Sequence, residues 1–171
     1  KILTTMMESS AESLRVVLLG NRCSLKNSVG NMILGGNIPR EPDCCQKIST
    51  YIDNKKIILI NTPDLHHPNL CGEKLTKFGK DLMIRCDPGP HLFLLVLQPE
   101  NFTEEEKERL QFILQTFDSP SNHTLTLISS SKEETSDVRK KYLQDPLMGD
   151  FLLKNLTFSP KCMERPLVRC T

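Results

Sequence analysis

The segment Gly20-Asn21-Arg22-Cys23-Ser24-Leu25-Lys26-Asn27-Ser28 gathers the residues with the clearest chemical potential. It follows a short apolar run, Leu14 to Leu19, and precedes Val29, Met32 and Ile33 at helical spacing. A loop between a buried strand and a helix N-terminus presents backbone N–H groups to an anion. The pattern that cradles nucleotide phosphates in that position is GxxxxGK[ST]. Gly20 and Lys26 hold two of its fixed positions. Leu25 stands where the second glycine belongs, and its branched side chain obstructs the turn that wraps a phosphate. Asn27 replaces the hydroxyl residue that would hold Mg²⁺ and offers an amide oxygen instead. Alone, this half-motif fits a plain strand-to-helix loop with a surface lysine as well as it fits a phosphate site.

Other reactive side chains have ordinary readings. Cys23 lies at a helix N-terminus, where a thiol pKa can fall, but no partner histidine is identifiable. His66 and His67 lack further Cys or His at ligand spacing and read as a solvated loop. Glu73, Asp81, Asp87 and the Glu104–Glu106 run read as solvated helix faces and a helix cap, not as paired catalytic carboxylates. The seven cysteines are odd in number and show no CxxC spacing, which points to a reduced, cytoplasmic protein.

The elements that must position these residues follow from periodicity. Short apolar runs bounded by polar stretches predict strands near 14–19, 55–60, 91–97 and 123–128, with a further strand at 47–52 and another at 155–159. Asp53-Asn54 suits a two-residue hairpin between 47–52 and 55–60. Apolar residues at helical spacing predict helices over 26–34, 73–85, 104–117 and 137–144. Thr103-Glu-Glu-Glu106 is a capping box for the third of these. Strands alternating with helices imply right-handed crossovers and a mainly parallel sheet, with ligands at the carboxyl ends of the strands.

Composition sets the outer bounds. The 171 residues are 38% hydrophobic and 25% charged, which suits one domain with a sizeable core. A net charge of +1 gives no basic surface for nucleic acid or anionic membranes. The longest apolar run, His91 to Leu97, is far below the ~20 residues that span a bilayer. Residues 1–10 lack the apolar core of a secretory signal. The sequence opens on Lys1 and reads as part of a longer chain, in which a membrane anchor remains open.

Several segments, in order, resemble the immunity-associated GTPases of the GIMAP family. Leu14-Arg-Val-Val-Leu-Leu-Gly20 with Val29-Gly-Asn-Met-Ile-Leu-Gly35 is similar to their first box. Cys45-Gln-Lys47 resembles the segment before their second strand, and Ile60-Asn-Thr-Pro-Asp64 their third box. Pro88-Gly-Pro-His91 with Leu92 to Leu97 is similar to a signature of their own, which Phe102-Thr-Glu-Glu-Glu106 continues. Asn122-His-Thr-Leu125 resembles the strand before the guanine box. The likeness is greatest to divergent members found in fish.

The resemblance implies a three-layer α/β P-loop GTPase-like domain with one antiparallel edge strand, spanning 14–160 between an N-terminal extension (1–13) and a tail (161–171). It also implies lost chemistry. Asn61 stands for the aspartate that holds a magnesium-bound water, and Asp64 for the glycine whose N–H meets the γ-phosphate. Pro42 stands for the magnesium-binding threonine, and Lys132 for the aspartate that pairs with guanine. We therefore expect a degenerate G domain, a pseudo-GTPase used for interaction and assembly with related G domains or as an oligomer. The alternative is a GTP- or GDP-binding protein with residual activity. Any nucleotide would sit weakly on residues 20–28, with Mg²⁺ not expected. Nucleic acid and a membrane segment within the chain are not expected as partners.

Overall fold

The computed structural model describes residues 13–36, 38, 44–117 and 124–128. Five strands form one sheet in the order β2-β3-β1-β4-β5. They are β1 (Ser13–Gly20), β2 (Gln46–Ile52), β3 (Lys55–Asn61), β4 (Leu92–Leu97) and β5 (Thr124–Ile128). Strands β3, β1, β4 and β5 run parallel, and β2 joins the edge antiparallel to β3. The expected strands at 14–19, 47–52, 55–60, 91–97 and 123–128 are all present, as is the hairpin. Asp53 and Asn54 both take positive φ, 49° and 64°, the geometry that a tight two-residue connection requires.

Buried parallel strands carry apolar residues on both faces, and the two faces feed two cores. On one face Val17, Leu19, Ile58, Ile60, Phe93, Leu95 and Leu97 meet helix α2 (Gly72–Arg85) through Phe78 and Leu82. The same core takes in helix α3 (Glu104–Gln115) through Leu110, Ile113 and Leu114. On the other face Val16, Leu18, Leu59, Leu94 and Val96 pack with Ile33 of helix α1 (Cys23–Leu34). The result is the three-layer α/β arrangement.

The capping box at Thr103 is complete: its Oγ1 accepts from Glu106 N–H at 3.2 Å, and Glu106 Oε2 accepts from Thr103 N–H at 3.0 Å. Helix α1 differs from expectation. It starts at Cys23, three residues before Lys26, because Lys26 N–H already donates to Arg22 carbonyl at 3.0 Å. With Leu25 in place of glycine, the backbone takes the helical bonds that a wrapped loop would forgo. The expected helix at 137–144 and strand at 155–159 lie outside the described residues, as do Pro42 and Lys132.

The Pro88-Gly-Pro-His91 segment ties the amino ends of β1 and β4 together. His91 Nδ1 accepts from Arg15 N–H at 2.9 Å, and His91 N–H donates to Arg15 carbonyl at 2.9 Å. Arg15 Nε donates to Gly89 carbonyl. Gly89 sits at φ +142°, a conformation that side chains rarely adopt. These residues fix register, and nothing about them requires a ligand.

Candidate functional site

The carboxyl ends of β1, β3 and β4 bring together Gly20, Asn21, Lys26, Asn61, Thr62, Asp64 and Gln98. Gly20 is fixed by packing alone: a Cβ there would lie 2.5 Å from Val96 carbonyl. Only two residues, Asn21 and Arg22, separate β1 from α1. Asn21 is buried and turned away from any cradle. Its Nδ2 donates to Gln98 carbonyl at 3.0 Å, and its Oδ1 accepts from Gln98 N–H at 2.8 Å. Arg22 and Ser24 are exposed; Cys23, Leu25 and Asn27 are half-buried. Ser28 is exposed and bonds back to Ser24 carbonyl at 2.9 Å.

Lys26 is 0% exposed. Its ammonium donates to Asp64 Oδ1 at 2.7 Å and to Thr62 carbonyl. Asp64 is itself 2% exposed. Of the two readings of the half-motif, a surface lysine and a phosphate ligand, the structure gives neither: Lys26 is half of a buried ion pair.

The segment after β3 is fastened to β1 and α3. Thr62 Oγ1 donates to Leu18 carbonyl at 2.7 Å, and Leu65 N–H donates to Gly20 carbonyl at 2.9 Å. Arg109 of α3 donates to Leu65 carbonyl at 2.7 Å and pairs with Glu105. Neither Arg109 nor the Asn21–Gln98 pair was visible in the sequence, since each acts on backbone far along the chain. Burial pushes the Glu106 carboxyl above the usual carboxylate range. The Thr103 N–H, His66, the Asn21 amide and Arg109 hold it partly down. His66 itself is exposed, 3.8 Å from Glu106.

Three carboxamides near the strand and helix ends carry buried oxygens without hydrogen-bond partners. Asn61 is 0% exposed, and neither its Oδ1 nor its Nδ2 has a hydrogen-bond partner. Gln46 is directly opposite across the antiparallel pair, so both side chains leave the same face of the sheet. Gln46 Oε1 and Asn27 Oδ1 are likewise buried and unpartnered. These oxygens are neutral; a hard divalent cation is held best where carboxylates contribute charge. Among the described residues no group of three or more His, Cys, Asp or Glu could hold a metal ion. Cys45 and Cys86 are buried, and burial pushes their thiols up to about 12 and about 11. Among the described residues no helix is long and apolar enough to cross a membrane.

Comparison with known proteins gives the geometry a family. Residues 14–158 match the AIG1 family. The chain is 29% identical over 159 residues to GTPase IMAP family member 8 of Homo sapiens, covering 88% of this chain and 23% of that protein. The Mus musculus member 8 is 26% identical over 152 residues, with 84% and 22% covered. The chain therefore spans less than a quarter of the curated relatives it matches. Among solved structures, Toc33 from Arabidopsis thaliana in complex with Mg²⁺ and GMPPNP superposes with a TM-score of 0.65 at 16% identity, over 95% of this chain and 71% of that one. A LeoA bacterial dynamin GTPase superposes at 0.51. The protein belongs to the AIG1 family, and its fold is that of a GIMAP-type G domain.

Proposed function

We propose that this chain is a pseudo-GTPase, a G domain that serves as an interaction and assembly module without hydrolysing GTP. One observation carries the reading: the Lys26 ammonium is spent on Asp64 inside the protein. An intramolecular carboxylate takes the interaction that a phosphate would need. Helix α1 begins at Cys23, so Lys26 N–H serves the helix and the wrapped loop is absent. Phosphoryl transfer rests almost wholly on positioned charge. At the positions that the resemblance assigns to magnesium stand Asn27, Asn61 and Pro42. These residues do not fit Mg²⁺ with a nucleotide triphosphate, and no step is derived through them.

A second reading, weak GTP or GDP binding at residues 20–28, has one observation in its favour. Strand β1 still leads through Gly20 into the N-terminus of α1, where backbone N–H groups would face an anion. Phosphate-release kinetics with GTP and Mg²⁺ separate the two. The pseudo-GTPase reading expects release at the buffer rate. Release that scales with protein and is competed by GDP would overturn it. Partner pairing belongs to the same proposal, in the company of Toc33, for which a dimerization-deficient mutant has been crystallised.

A further inference from the structure

Among the described residues, the β2 edge of the sheet is open. Strand β2 pairs with β3 along its whole length, Gln46 to Ile52 against Asn61 to Lys55, without a bulge. Among the described residues nothing pairs with its outer side. An open edge presents a row of N–H and C=O groups that template another strand unless proline, bulges or charge blunt it. β2 has no proline and a single charge, Lys47.

Its side chains alternate cleanly. Gln46, Ile48, Thr50 and Ile52 are half-buried on the α1 side, while Lys47, Ser49 and Tyr51 are exposed on the other. Tyr51 is 69% exposed, a large aromatic ring standing free on an edge strand. We propose that this edge pairs with the β2 edge of a second copy of the chain, antiparallel about a two-fold axis at Ser49. The proposal rests on the reading of the chain as an assembly module and names its surface.

The choice of occupant and register comes from charge. A two-fold axis at Ser49 pairs all seven residues, with Lys47 of each copy opposite Tyr51 of the other. Directly opposed side chains lie within contact, and an ammonium over a tyrosine ring is attracted to it. A parallel pairing in register, or an antiparallel one centred on Lys47, sets two ammonium groups face to face. The one charge on the edge thus selects against those arrangements and in favour of this one. The half-buried stripe continues across the axis, with Ile48 opposite Thr50.

Sedimentation velocity across a micromolar-to-millimolar series tests this on the full chain. The wild type is expected to form a dimer in rapid exchange, with no nucleotide added. Tyr51→Lys sets lysines opposite one another twice per dimer and should weaken pairing about tenfold. Tyr51→Glu sets a carboxylate against Lys47 and should keep the dimer. The double variant Lys47→Glu/Tyr51→Lys should restore it. All these side chains are exposed, so the fold is retained. A wild type that stays monomeric throughout, or a dimer indifferent to Tyr51→Lys, overturns the proposal. Nucleotide titration of the Tyr51→Lys protein reports separately on the module reading, because Tyr51 pairs with Lys56, at the opposite end of β3 from Asn61.

Discussion

The two ends of the central sheet are closed by the same kind of device. At the amino end, His91 bonds to the Arg15 backbone through its ring and its own N–H, and the Arg15 side chain bonds to Gly89 carbonyl. At the carboxyl end, Asn21 bonds to Gln98 backbone, Lys26 to Thr62 and Asp64, and Arg109 to Leu65. Such closure is ordinary at the amino end. In open α/β sheets the carboxyl end is where ligands bind, and polar groups there usually point outward. Here Asn21, Lys26 and Arg109 are bonded to other groups of the protein, while Asn61 is buried without a partner among the described residues. The difference from an ordinary site lies in what each polar group is bonded to, since the strands and their order are those of a G domain.

Substitutions at the two ends sharpen that comparison. The largest effect belongs to the buried pair. Lys26→Met or Asp64→Leu leaves an uncompensated buried charge and should cost about 3–5 kcal/mol in chemical unfolding. The double variant should recover most of that loss, because replacing a whole buried pair by apolar groups is near neutral. Singles that unfold as easily as the double would show that the pair is not sealed from water. At the amino end, His91→Ala removes the acceptor of Arg15 N–H and should cost about 1–3 kcal/mol. An equal loss at both ends would contradict the charge argument. Thr103→Ala, which breaks the capping box of α3, should cost about 1 kcal/mol. That helix also holds Leu65 through Arg109, so backbone exchange at Leu65 should quicken in this variant.

The smallest effect is a matter of pH. Cys45 and Cys86 titrate from about 9 in the unfolded chain to about 12 and about 11 in the fold. The fold prefers the protonated thiols, so their contribution is fully present below pH 9 and is lost as pH rises toward the folded values. The melting midpoint should fall above pH 9 on this account, and less steeply in Cys45→Ala. At pH 8 the exposed Cys44 and Cys71 should react with a thiol reagent well before Cys45 and Cys86.

Much of the fold is legible in the residues because each element has a local cause. The apolar runs at 14–19, 55–60 and 91–97, short and rich in Val, Ile and Leu, suit buried strands. Asp53-Asn54 tolerates the turn, and Thr103 with Glu106 caps its helix. The site is less legible. Lys26 and Asp64 are 38 positions apart, and only the fold turns a lysine and a misplaced acid into a pair. Leu25 signals a spoiled loop, but its conversion into the first turn of α1 depends on the Arg22 carbonyl. Asn21 and Arg109 act on backbone groups whose positions no spacing reveals.

The most direct test is a calorimetric titration of the chain with GTP and, separately, ATP, with and without Mg²⁺. A pseudo-GTPase with Lys26 bound to Asp64 should show no saturable Mg²⁺-dependent binding, and any residual heat should be alike for the two nucleotides. Lys132 stands where the resemblance places the guanine-pairing carboxylate, and losing that contact removes about 2–3 kcal/mol of base preference. Saturable binding that requires Mg²⁺ and strongly favours GTP over ATP would contradict the account.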